Sequence, residues 1–263
     1  MIETTFAPMT EHQLNQLQNQ IVKEEHLPFY DMLMDKRKTS TFFAQWNDED
    51  LVSVVAFHDE YSLPTFAYYF PGNLEAVDVE NLFHEAEKSV KFSHEGIALL
   101  KEEELPMFYH HGTMIAPPRK MQLMRHQDDT KLMSETNVQE IRRENHEEVQ
   151  ALAEEQELLT FSKDAFEKFP FFGVWEKGRL AAMGGFSAFS EHYVEINHVA
   201  TASFADRKGC SQAVNSTLTE IGKQTSSVYV YVYADDIASV RLYESLGFEA
   251  VNERFFVPFM IGD

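Results

Sequence analysis

Cysteine is almost missing from this chain: its 263 residues contain one, Cys210. A single thiol excludes an intramolecular disulfide and a cysteine-based zinc site. It fits a reducing compartment, so a cytoplasmic location is expected. No run approaches 18 apolar residues, so no membrane-spanning helix is expected. The opening MIETTFAPMTEHQ has neither a basic stretch nor an apolar one and does not read as a secretory signal. Also missing are GxxxxGKS/T, GxGxxG, GxSxG and HExxH. Their absence weighs against nucleotide hydrolysis, dinucleotide redox chemistry, serine hydrolysis and zinc proteolysis. His192 and His198 lie six residues apart on an expected strand, roughly 20 Å, too far to share one ion, so no metal is expected.

Positive charge is scarce too. Lys and Arg number 22 against 43 Asp and Glu, a formal charge of -21. Acidic residues lead in both halves, 23 to 11 over residues 1–135 and 20 to 11 over 136–263, so no tail carries the excess. Such a field repels nucleic acid and anionic membranes, so neither is expected as a partner, and it attracts cations, amines among them. An acidic surface that only keeps the chain soluble is the plainer reading of the same numbers.

What is present is a soluble composition, 44% hydrophobic and 25% charged, in a length comfortable for two domains. In the first half, residues 10–27 read as a helix with Leu14, Leu17 and Ile21 at helical spacing. Thr41–Trp46, Leu51–His58 and Thr65–Phe70 read as strands, Val77–Phe92 as a helix, Gly96–Leu100 as a strand, Glu102–His111 as a short helix and Lys120–His126 as a strand. The polar stretch QDDTKLMSETN marks a boundary, giving domains 1–130 and 131–263. In the second, Val138–Asn145 reads as a strand, His146–Leu158 as a helix and Phe161–Phe172 as irregular. Gly173–Glu176 and Arg179–Phe186 form a hairpin at Lys177-Gly178. Then come a strand His192–Thr201, a helix Gly209–Lys223, a strand Val228–Ala234, a helix Ile237–Leu246 ended by Gly247, and a strand Phe248–Phe259. The fold class expected is α/β (α+β).

Chemistry concentrates in two segments. HYVEINHVATASFADRKGCSQAVNSTL runs from a strand through a glycine loop into a helix, whose first amides have no partners inside the helix and carry partial positive charge. A pyrophosphate can sit there, and Arg207 and Lys208 add two cations. VYVYVYADDIASVRLYESLGF follows, a strand ending in Asp235-Asp236 and a helix bearing Leu-Tyr-Glu and Leu-Gly-Phe.

These residues, in this order, resemble the GNAT superfamily of N-acetyltransferases, nearest to its glycine N-acyltransferase-like members, over residues ~138–259. The resemblance implies a mixed, mostly antiparallel sheet flanked by helices, with acetyl-CoA or another acyl-CoA as co-substrate. The first half, which ends on a similar run of signals, reads as an N-terminal α/β domain that is a degenerate copy of the same fold. By the resemblance, the fourth strand bulges and splays from the fifth. Backbone groups of Val199, Ala200 and Thr201 then hold the pantetheine arm, loop amides around Arg207, Lys208, Gly209, Cys210, Ser211 and Gln212 hold the pyrophosphate, and the thioester lies between Val199 and Tyr231. Tyr243 corresponds to a proton donor to the leaving thiolate and Glu195 to a base for the amine. Asp236 stands at a coenzyme-side position where Asn is usual, and Asp206 where Gln or Arg is usual. Tyr243 also reads as a core aromatic, Glu195 as an ordinary strand carboxylate, and His198 as an alternative base that a bulge would bring nearer Glu195. The phenylalanines from Phe161 to Phe172, with Trp175, read as core or as an acceptor wall.

The expected activity is direct transfer of an acetyl or other short acyl group to a small, cationic amine, with no covalent enzyme intermediate. The alternative is a catalytically inactive CoA- or partner-binding module of the same fold. A homodimer stays open.

Overall fold

Thr10 starts the first helix by a reciprocal cap: its hydroxyl accepts the Gln13 amide, and the Gln13 side chain accepts the Thr10 amide at 2.8 Å. The computed structural model describes residues 3–58, 64–89, 95–111, 113–133, 137–158, 161, 163–205 and 209–260. Its contacts divide the chain into two units, 1–120 with 252–263, and 121–251.

The first unit contains β1 (Thr4–Pro8), α1 (Glu11–Gln18), α2 (Leu27–Met34), β2 (Ser40–Asn47), β3 (Asp50–His58), β4 (Thr65–Tyr69), α3 (Val79–Ser89), β5 (Glu95–Leu100), α4 (Leu105–His111) and β6 (Thr113–Met114). Its sheet runs β1-β2-β3-β4-β5, then residues Phe255–Met260 of the last strand. All neighbours are antiparallel except β4 and β5, which pair in parallel at Thr65↔Ile97 and Phe66↔Ala98, with α3 as the crossover. Leu14 and Leu17 of α1 pack with Phe29, Met32 and Leu33 of α2 on one face, while Val79, Leu82, Phe83 and Ala86 of α3 pack on the other.

The second unit takes most of β7 (Arg119–His126), then β8 (Gln139–Glu140), α5 (His146–Glu155), α6 (Lys163–Lys168), β9 (Phe172–Glu176), β10 (Arg179–Phe189), β11 (Val194–Thr201), α7 (Cys210–Gly222), β12 (Val228–Tyr233), α8 (Ile237–Ser245) and the start of β13 (Phe248–Met260). Its sheet runs β7-β12-β11-β10-β9-β8. Again one pair is parallel, β11 with β12, and one helix, α7, makes the crossover. Val214 and Leu218 of α7 pack with Ile196, Val228 and Val230 on one face, and Val149 and Leu152 of α5 pack with Phe171 and Met183 on the other.

The architecture is therefore the expected one, a largely antiparallel mixed sheet with helices on its faces, and the two units share strand order and the single parallel pair. Several local expectations differ. Val138–Asn145 is no full strand: only Gln139 and Glu140 pair with β9, and a 3-10 turn follows at Arg143–Asn145. Phe161–Phe172 is not wholly irregular, because Lys163–Lys168 is helical. The strand β1 and the helix α2 have no counterpart in the sequence reading.

Candidate active site

Strand alternation decides which side chains share a face. In β11, Val194 and Ile196 point to α7, as do Val228, Val230 and Val232 of β12. Glu195 and Asn197 are thereby on the opposite face, as are Tyr229, Tyr231 and Tyr233. The alternation then breaks. Met183 pairs with Ala200 and Gly185 with Asn197, so two residues of β11, His198 and Val199, stand opposite Gly184. His198 has φ 55°, the left-handed backbone that marks a bulge. The extra residue keeps His198 on the face of Glu195 and Asn197, while Val199 returns to the α7 side, 3.2 Å from a Cβ built on Gly184.

The bulge ends one ladder. Parallel pairs with β12 run only from Val194↔Val228 to Ile196↔Val230. From Asn197 to Thr201, no backbone partner on β12 is present among the described residues, while the other side of the strand stays paired to β10. Val199, Ala200 and Thr201 on β11 and Tyr231 on β12 lie beyond the last paired residues of the two strands. Ala200 is buried; Val199, Thr201 and Tyr231 are half-buried.

Beside it, α7 starts at Gly209, which has φ 77° and open space where a Cβ would be. Among the described residues Gly209 offers no side-chain cap to this end, where the first amides of a helix have no partner inside it. The Cys210 thiol is buried and 3.7 Å from Glu176 Oε1. Arg207, Lys208 and Asp206 lie outside the described residues. The helix start at Gly209 thus follows a strand whose β12 side is unpaired from Asn197 to Thr201 among the described residues.

Glu195 accepts the Ser187 hydroxyl at 2.7 Å, and Asn197 Nδ2 lies 3.5 Å from the same oxygen. Ser187 is itself the extra residue of a second irregularity, between Phe186↔Ile196 and Ala188↔Glu195. His198 is 5% exposed and lies flat on Phe171, with centroids 5.7 Å apart. Its Nδ1 is buried and has no hydrogen-bond partner among the described residues. Burial lowers its pKa to about 4, so the ring is neutral at pH 7.

Tyr243 is 5% exposed, packs edge-on to Phe248, and donates its hydroxyl to Asn215 Oδ1 at 2.9 Å. Asn215 Nδ2 donates in turn to the Ser211 carbonyl at 2.9 Å. Asn215 thus ties Tyr243 to the first turn of α7. In the sequence the only signal of Asn215 is a polar residue at a core-facing position, four after Ser211. Burial, then the nearby Asp236 charge, raises the phenol's pKa well above normal, so it holds its proton throughout the neutral range. Asp236 is exposed and caps α8, accepting from the Ser239 amide at 3.1 Å and hydroxyl at 2.6 Å. The aromatic run divides between faces: Phe161, Phe166 and Phe171 pack toward α5, Phe169 and Phe172 toward α7. That division is core packing, not one wall.

Residues 135–248 match the model of the acetyltransferase (GNAT) family. No curated protein matches the chain. Among solved structures, a putative GNAT-family acetyltransferase from Novosphingobium aromaticivorans is 18% identical, with a TM-score of 0.62 over 80% of this chain and 89% of that one. A Drosophila protein is 12% identical, with a TM-score of 0.72 over 98% and 99%. A tandem GNAT protein from the clavulanic acid biosynthesis pathway is 12% identical, with a TM-score of 0.63 over 99% of each chain. At these identities the structures establish the fold. The family match lies within the second unit and covers less than half of the chain.

Proposed function

We propose that the second unit is an acyl-CoA-dependent N-acyltransferase acting on a small amine. The observation that carries this reading is the pairing of an open strand edge at Val199–Thr201 with a helix start at Gly209. Backbone amides of Gly209, Cys210, Ser211 and Gln212 would hold the pyrophosphate, and the β11 edge would hold the pantetheine arm by strand-like hydrogen bonds. Bound there, acyl-CoA supplies an activated thioester. The amine must lose a proton before it attacks. Glu195, on the face opposite α7 and bonded by Ser187, would take that proton, and a neutral His198 on the same face would be the alternative acceptor. A backbone amide near Val199–Ala200 would stabilise the oxyanion. An acidic molecule favours a cationic acceptor. Acetyl is the acyl group first in line, and a cytoplasmic setting with free access to the coenzyme suits the activity.

One observation favours the runner-up, a module that binds CoA without turnover. The Tyr243 hydroxyl is already spent inside the core on Asn215, which is a poor starting point for a proton donor. Calorimetry with acetyl-CoA and a thiol-release assay over an amine panel separate the two. The acyltransferase reading expects binding, release with at least one amine, and at least a tenfold loss of affinity in Gly209→Asp, whose carboxylate would occupy the helix end. Binding with no release from any amine supports the module. Tyr243→Phe with unchanged kcat removes the phenol from the mechanism and leaves the rest standing.

A further inference from the structure

Between the edge of β11 at Val199–Thr201 and the start of α7, the chain makes a turn that a carboxylate from another element holds. Thr201 is the last residue of β11 and pairs with Ala182 of β10. The next amide, of Ala202, donates to the Ala181 carbonyl at 2.8 Å. Ser203–Ala205 then forms a 3-10 turn, in which the Ala205 amide donates to the Ala202 carbonyl at 2.8 Å. Ala202 packs on the α5 side of the sheet and Ala205 on the α7 side, each 1% exposed. Gly209 begins α7 four residues after Ala205.

The hydrogen bonds inside a 3-10 turn have poor geometry, so contacts from outside decide where this one stands. Glu155, the exposed last residue of α5, accepts both the amide and the hydroxyl of Ser203 on one oxygen, each at 2.8 Å. These two bonds, the amide's first, hold the carboxyl below its ordinary pKa. It is therefore ionised at pH 7, and both bonds are charge-assisted. The adjoining Phe204 is covered by Arg179, whose guanidinium carbon lies 4.1 Å from the centre of the ring.

We propose that Glu155 is a positioning residue for the coenzyme: by fixing Ser203 it sets the spacing between the β11 edge that takes the pantetheine arm and the α7 start that takes the pyrophosphate. The inference rests on the reading of that site given above. A ligand that spans two places binds best when both already stand at the right separation, because ordering them on arrival costs affinity. Charge alone argues the other way. A carboxylate near an anionic coenzyme repels it, so removing the carboxylate would tighten binding. The positional role predicts the opposite sign.

Calorimetric titration of the full chain with acetyl-CoA reads that sign. Glu155→Ala is expected to bind about fivefold more weakly than the wild type. Glu155→Gln drops the charge but keeps an oxygen for both Ser203 donors, and is expected to stay within about twofold of the wild type. Melting temperatures of the unliganded variants are expected within about 2 °C of the wild type; a turn needed only for folding would lower that of Glu155→Ala instead. Should it fall, Ser203→Ala decides, since it removes one bond and no charge: about twofold weaker binding is expected, and wild-type affinity overturns the assignment. Equal or tighter binding by Glu155→Ala, or a Gln variant as weak as the Ala variant, overturns it too and leaves the coenzyme site standing. No binding by the wild type removes the site itself, and the role of Glu155 with it.

Discussion

His198 shows how one residue links backbone, packing and charge. Its φ of 55° makes the bulge that opens the strand, and its ring is held between Phe161 and Phe171. The folded pKa, about 4, lies below the unfolded value of 6.5. Between those values the unfolded chain binds a proton that the folded chain refuses, so stability rises with pH across that window and is lost as pH falls from 6.5 toward 4. The full effect is on the order of 3 kcal/mol. Asn tolerates the left-handed backbone and carries no titrating group. His198→Asn is therefore expected to narrow the stability gap between pH 7 and pH 4.5, measured by urea unfolding at each pH. A gap as wide as the wild type's would show that the imidazole is not the group responsible. At this scale the sequence was only partly readable. The resemblance names Glu195, with His198 as its alternative, but whether they share a face depends on a bulge, and alternation alone puts them apart. The buried bond from Tyr243 to Asn215 joins residues 28 apart in the chain and leaves no local mark.

At the scale of elements, glycines separate what was legible from what was not. The Leu-Gly-Phe ending of α8 was readable because Gly247 has φ 89° and the turn admits little else. A Cβ there would lie 2.3 Å from the Asp128 carbonyl oxygen, and the amides of Gln127 and Asp128 both donate to the Gly247 carbonyl. Backbone cannot yield as a side-chain tip can. Gly247→Ala is thus expected to cost at least about 3 kcal/mol, from clash and left-handed strain together, read as a lower urea midpoint. A loss under about 1 kcal/mol would mean that the 127–128 segment moves aside cheaply. The elements that escaped notice lack such punctuation. In α2 the run LPFYDMLM is apolar nearly all round and buries Leu27, Phe29, Met32 and Leu33, so it shows no amphipathic period. The stretch expected as a strand at Val138–Asn145 has apolar residues at Val138 and Ile141 only, and just two of its residues find a ladder.

Over the whole molecule, the repeated strand order was legible as a faint echo between the halves, and the reason it was faint is now physical. The second unit keeps a bulged strand and a helix begun by Gly209; the first keeps the topology, an unbroken strand and an Asp-capped helix. What no local pattern disclosed is that the chain's last stretch belongs with its beginning: residues 252–263 fall in the first unit, where Phe255–Met260 pair with β5. Val257 is fully buried there and Phe259 is 2% exposed. Burial of two such side chains is worth about 3–6 kcal/mol, and Arg254 and the edge ladder of β5 go with them. That sum is comparable to the entire stability of a domain, about 5–15 kcal/mol. A chain truncated after Val251 is therefore expected to lose hydrogen-exchange protection throughout β2 to β5 while α7 and β12 keep most of theirs. Equal loss in both units would show that they unfold as one cooperative body, and no loss in β5 would mean that the terminal strand contributes far less than its burial implies.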